Sequence, residues 1–354
     1  MSPMLVPLLA SLTALVGAPL LQRRLRQRQH ARRLVHTGPH AIAESRFVRL
    51  GGIDQWIGVR GEDRRNPVLL VLHGGPGCPY SIFTPVMRPW ERHFTIVQWD
   101  RRGVGKTLGR TGKAGSGELS FPRMVDDAIE LSEHLHRALP HAPQIVLAGS
   151  MGNLVGIPLV KRRPDLFAAY VATDLGVDVR GEQRTGQLTR DRLRAADDRR
   201  GVATLTAMGP DPARWTFTQW QAKQKLTLKT DPRMRDVGRQ LLLPLIFTAP
   251  EHTLRDVLHV LQGLDFAATR LFAAYMAHDA RSLGPRFDLP FFLFQGDDDV
   301  FTPTDLATDY FAAVDAPHKQ LALIREAGHF AAFTRPEQFL HELVTRVLPL
   351  VAPV

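Results

Sequence analysis

The stretch LAGSMGNLVG, residues 147–156, sets Ser150 between two glycines at the end of an apolar run. A serine hydroxyl is a weak nucleophile. It attacks a carbonyl only when a base takes its proton and a third group orients that base. Two downstream stretches offer these groups. FLFQGDDDVFTP (292–303) ends an apolar run in three aspartates, and IREAGHF (324–330) presents His329 directly after Gly328. Among Asp297, Asp298 and Asp299, the expected acid is Asp299, three residues past Gly296 and four before Pro303. Asp174, after an earlier apolar run, is the second candidate, and a plain solvated acidic turn is the competing reading. In this arrangement His329 takes the proton from Ser150 and returns it to the leaving group, while Asp299 holds the imidazole tautomer. The oxyanion that forms needs two fixed N–H donors. Met151, immediately after the serine, is expected to supply one, and Gly75 in HGGPG (73–77) the other.

These pieces need a frame that brings residues 75, 150, 299 and 329 together. SRFVRLGGIDQWIGVRG (45–61) reads as two strands about the turn Gly51-Gly52. PVLLVLHG (67–74), FTIVQWD (94–100), QIVLAG (144–149), AAYVATD (168–174), PFFLFQGD (290–297) and QLALIREAG (320–328) are short apolar runs suited to strands buried on both faces. Helix-like patterns such as MVDDAIELSEHLHRAL (124–139) and PEQFLHELVTRVL (336–348) separate most of them, so an α/β sheet is expected. In open α/β sheets ligands bind at strand C-termini, where all four groups fall. Residues 176–286 hold no buried-strand run and are expected to form an inserted helical cap.

QIVLAG, GSMG and NLVGIPLVKRR form the strand, sharp turn and helix of a nucleophile elbow, although Ala148 stands where the G-x-S-x-G pattern has its first glycine. Together with HGGPG, QWDRRGVGKT (98–107), GDDDVFTP and AGH, this resembles the α/β-hydrolase superfamily, specifically its proline iminopeptidase-like branch. The resemblance covers residues ~45–175 and ~286–350 and implies an α/β-hydrolase fold, with a mostly parallel central sheet flanked by helices. The family's DQRG becomes Asp100-Arg101-Arg102-Gly103, and Asp100 and Arg102 are expected to brace the HGGPG loop. Proline iminopeptidases bind the substrate's charged amine with cap glutamates. Here RWTFTQWQAK (214–223) resembles the family's W-x-x-W-E segment, with Gln221 after Trp220 in place of the glutamate. RLFAAYM (270–276) resembles its R-I-E-N-H-Y-F stretch, with Phe272 at the acidic position; Glu182 and Glu251 are substitute acids. Trp220, Gln221 and Phe272 are therefore expected to line the substrate pocket. The expected substrate is a small ester, amide or short peptide, with neutral acyl groups preferred over free amino termini. Release of N-terminal proline is one alternative, and a non-catalytic, membrane-tethered binding protein is another.

Composition excludes several other classes. Hydrophobic residues make up 44% of the 354-residue chain and charged residues 23%, ordinary for a globular protein. The formal net charge is +10, but Arg23, Arg24, Arg26, Arg28, Arg32 and Arg33 fall in residues 1–40, which hold no acid. That clustering, with no interleaved aromatics, argues against nucleic-acid binding. Cys78 is the only cysteine, so no intrachain disulfide or cysteine metal cluster can form. GVGKT lacks the earlier glycine of a phosphate-binding loop, and His134 and His136 face different sides of one helix; neither a metal nor a cofactor is expected. Residues 1–22 carry no charge, close to the ~20 residues a helix needs to cross a bilayer. Positive charge follows this run instead of preceding it, unlike a cleaved signal. The expected layout is a membrane anchor at 1–22, a basic linker at 23–44, core at 45–175, cap at 176–286 and core again at 287–354. The arginines would keep the catalytic domain cytoplasmic. The alternative is an interfacial helix or a poorly ordered tail on a soluble cytoplasmic protein, since Pro7, Gly17 and Pro19 weaken a helix there.

Overall fold

The computed structural model describes residues 5–351, with side chains described from Gly17 onward. Eight strands form one sheet: β1 (Ile42–Leu50), β2 (Ile53–Gly61), β3 (Val68–Leu72), β4 (Thr95–Asp100), β5 (Gln144–Gly149), β6 (Ala169–Thr173), β7 (Phe291–Gly296) and β8 (Lys319–Ile324). Their spatial order is β1-β2-β4-β3-β5-β6-β7-β8. β1 and β2 pair antiparallel about Gly51-Gly52, whose φ values of 52° and 77° only glycine adopts freely, and β2 meets β4 antiparallel. From β4 to β8 every pairing is parallel. The chain thus folds as the α/β sheet expected.

Helix α1 (Leu5–Arg33) precedes the sheet; α2 (Thr84–Met87), α3 (Gly105–Gly115), α4 (Phe121–Ala138) and α5 (Asn153–Arg162) lie between β3 and β6. Six helices separate β6 from β7: α6 (Val179–Ala195), α7 (Arg199–Ala207), α8 (Phe217–Thr230), α9 (Pro232–Asp236), α10 (Leu243–Thr248) and α11 (Leu254–Met276). A β-bridge between Asp178 and Asp279 ties the two ends of this insert together. After β7 come α12 (Thr304–Ala313), α13 (Ala331–Thr334), α14 (Pro336–Glu342) and α15 (Leu348–Val351), with a π-turn at Leu343–Val347 joining the last two.

Strand alternation divides the core. Val68, Leu70 and Leu72 of β3 join Val146 and Ala148 in a cluster that takes in Met124, Val125 and Leu131 of α4. Leu69 and Val71 face the other way, into a cluster with Trp90, Phe292, Phe294 and Phe339. Each of the valine, leucine, methionine and phenylalanine side chains stabilises the fold by about 1.5–3 kcal/mol through burial. The continuous apolar runs follow from this two-sided cover. β8 differs from expectation: it is the sheet's edge, starts at Lys319, and leaves Leu321 and Leu323 exposed.

At the N-terminus, one helix spans the expected boundary at residue 22. No helix among the described residues is long and apolar enough to cross a membrane. From Gln22 onward α1 is rich in arginine; the span read at 1–22 rests largely on residues 1–16, which lie outside those described with side chains. The basic half of α1 packs on the insert, where Arg23 Nη2 donates to the His252 carbonyl and Gln27 Nε2 to those of Ala249 and His252.

Candidate active site

β5 ends at Gly149, and Ser150 follows with φ 51°, a left-handed conformation costly for a residue with a side chain. A 3-10 turn, Ser150–Gly152, then opens α5. The small residues around it are required by contact. A Cβ on Gly74 would sit 2.8 Å from both the Gly149 carbonyl oxygen and Ser150 Cβ. A Cβ on Gly156 would sit 2.9 Å from Ala148 Cβ. The bare Cα of Gly156 therefore makes room for the alanine that replaces the motif's first glycine.

The structure brings Ser150, His329 and Asp299 together. Ser150 Oγ lies 3.0 Å from His329 Nε2, and His329 Nδ1 lies 2.9 Å from Asp299 Oδ2. With Nδ1–H donating to the carboxylate, Nε2 is left to accept the serine proton. Asp299 is held by five donors: Phe301 N and Thr302 N reach Oδ1, while Gln295 Nε2, Thr302 Oγ1 and the imidazole reach Oδ2. Asp297 instead accepts from Glu326 N, Ala327 N and Arg233 Nη1, and Asp298 is exposed. Burial works to lower the His329 pKa, but Asp299 and then Asp174 outweigh it and push it up to about 9.

Asp174, Asp299 and His329 each offer a donor atom within 4.8 Å of the others, the one such group of three or more among the described residues. His329 Nδ1 is already committed to Asp299, so the three read as an imidazole between two carboxylates.

Gly75 has φ 55° and lies in the loop after β3; Met151 is the first residue past Ser150, at the head of α5. The expected brace on the HGGPG loop is corrected. Arg102 pairs with Asp127 at 2.6 Å and donates to the carbonyls of Gly51, Ser116 and Glu118, away from that loop. Arg101, standing where the family has glutamine, donates instead to the His73 carbonyl at 2.6 Å and lies 3.1 Å from its ring nitrogen Nε2. Burial lowers the Arg101 pKa to about 10 and keeps the His73 ring neutral. Asp100 accepts from Ser81 Oγ and Lys106 N, and burial raises its pKa to about 7. Cys78 is buried and its pKa is pushed up to about 12, mainly by burial. His134 and His136 contact Arg46 and the Leu166 carbonyl respectively, on separate sides of α4.

In the insert, Trp220 packs against Phe272 (ring centroids 5.8 Å apart), Phe217 and Tyr275, with Gln221 beside it half-buried. Glu182 is buried and already engaged. Lys223 Nζ lies 2.5 Å from its Oε2, and Tyr275 donates to its Oε1 at 2.7 Å. Lys223 itself has no solvent exposure. Glu251 is exposed, 3.9 Å from Arg60. Thr302, Arg101 and Lys223 were not anticipated. Only the threonine had any signal, its place in DDDVFTP.

A family model described as the alpha/beta hydrolase fold matches residues 67–336. A Bacillus subtilis (strain 168) protein named a probable aminopeptidase is 24% identical over 315 residues, 86% of this chain and 96% of its own. Two solved structures share the fold. A bacterial membrane phospholipase A has a TM-score of 0.61 at 14% identity, over 99% of this chain and 98% of that one. A proline iminopeptidase-related protein from Thermus thermophilus has a TM-score of 0.58 at 19% identity, over 88% of this chain and 99% of that one.

Proposed function

The chain belongs to the α/β-hydrolase family, and we propose that within it the protein is a serine hydrolase acting through an acyl-enzyme on a small neutral ester or amide. The observation that carries this reading is the unbroken hydrogen-bonded series Ser150–His329–Asp299, at 3.0 and 2.9 Å. Ser150 Oγ attacks the substrate carbonyl as its proton passes to His329 Nε2. The N–H groups of Gly75 and Met151 hold the oxyanion, and the imidazolium formed is stabilised by Asp299. Collapse expels the alcohol or amine with the proton from His329. Water, activated by the same imidazole, then releases the acid.

Preference for neutral substrates rests on charge. A buried ammonium needs an acidic partner. In this cap, residues 176–286 on our reading, Gln221 and Phe272 are uncharged, and Glu182 is already neutralised by Lys223. Short and medium p-nitrophenyl esters should be cleaved with higher kcat/KM than proline β-naphthylamide. Selective turnover of the proline amide would instead favour the aminopeptidase reading, which the name of the Bacillus subtilis relative supports for that protein.

Attachment to a membrane through α1 is the second part of the proposal. Leu20, Leu21 and Leu25 are exposed on α1. The neighbouring helices expose Leu243 and Phe247 on α10, and Leu254, Leu258 and Leu261 on α11, each set at one-face helical spacing. Apolar side chains next to six arginines suit an anionic lipid surface, with the catalytic domain on the cytoplasmic side.

A further inference from the structure

Two adjacent strands end alike. β5 and β6 pair in parallel with Gly149 opposite Thr173, and the next residues, Ser150 and Asp174, have φ values of 51° and 49°. Such backbone is costly for residues with side chains and persists where the surrounding structure holds it. The first bend presents the serine; the second presents a carboxylate that is 1% exposed. That carboxylate lies within 4.8 Å of His329 and Asp299 donor atoms, and its Oδ1 accepts from Ala331 N at 3.4 Å. The loop it holds contains Phe330, also left-handed at φ 66°, and carries His329.

We propose that Asp174 is a second acid of the site: a positioning residue that clamps the His329 loop and shares with Asp299 the stabilisation of the imidazolium. This rests on the serine-hydrolase reading above. No proton reaches Asp174 during turnover; it acts by its charge. Burial raises its pKa to about 6 against the pull of His329, so it is ionised above that value. The groups facing the pair are few. Asp299 approaches from the turn after β7, Asp231 from the cap at the head of α9, and Tyr80 from the loop after β3. Arg233 is turned away to Asp297 and Asp298. Removing the Asp174 charge must then lower the His329 pKa.

The test is the pH dependence of kcat/KM for p-nitrophenyl butyrate, followed by pH-stat on the full chain. Asp174→Asn keeps an acceptor for Ala331 N but loses the charge. It should move the acidic limb down by about one pH unit or more. Asp299→Asn should retain turnover above the Ser150→Ala background, with its limb still above 6.5. The double variant should be slower than either. A limb unmoved in Asp174→Asn, or Asp299→Asn no faster than Ser150→Ala, overturns the proposal. If Asp174→Asn does not fold, the Asp299→Asn profile decides alone. Wild-type activity in Ser150→Ala would sink the serine-hydrolase reading itself, an outcome distinct from either.

Discussion

At the scale of residues, a carboxylate's role here is decided by which oxygen meets which donor. Three consecutive aspartates leave β7, yet only Asp299 turns an oxygen to His329; Asp297 is spent on the backbone of the 326–327 turn. Asp299→Asn removes the charge that fixes the imidazole tautomer, and should lower kcat/KM by about 10²-fold or more. Asp297→Asn should cost less than about tenfold, acting only through loop geometry. Steady-state kinetics on the two variants separates them. On the proposed mechanism the proton acceptor is neutral His329, whose pKa is raised above 6.5, up to about 9. Activity should therefore fall as pH drops through that interval, instead of near 6. Ser150 and His329 were legible because each follows a glycine at the end of an apolar run, and Asp299 because it stands three residues past Gly296 in the turn after such a run. Asp174 showed only as a substitute acid, since nothing in a linear sequence marks its bend as the neighbour of the serine's. Thr302, which donates to Asp299, had its place in DDDVFTP as a signal, but nothing in the sequence shows that its hydroxyl turns back to that carboxylate.

At the scale of elements, apolar runs covered on both faces were legible as strands, and the helices between them followed. What failed depends on neighbours. β8 has a strand partner on one side only; it buries Ala322 and Ile324 on one face and leaves Leu321 and Leu323 exposed on the other, and no local pattern reveals an edge. The same holds in the cap, where Glu182 on α6 meets Lys223 on α8 and Tyr275 on α11. Lys223→Met strips a buried carboxylate of its cation and should cost about 3–5 kcal/mol in chemical denaturation. Adding Glu182→Gln should recover much of that loss. Equal stability of Lys223→Met and wild type would mean the pair is not held in the protein as described. Arg101 was also illegible, because a guanidinium serving the carbonyl of another strand's end leaves no trace in spacing.

At the scale of the whole molecule, the sheet collects the strand ends, the cap lies between β6 and β7 in sequence, and α1 docks on the cap's outer loop at residues 249–252. Attachment by apolar insertion predicts that the full chain sediments with anionic vesicles and stays bound at high salt, whereas a purely basic tail is released once charges are screened. The central claim is that Ser150 becomes covalently acylated, and mass spectrometry after treatment with a fluorophosphonate probe tests it most directly. The account predicts one adduct, on the peptide carrying Ser150, formed quickly in the wild type and lost in His329→Ala. An unlabelled Ser150 in folded protein, or an adduct on another residue, would contradict it.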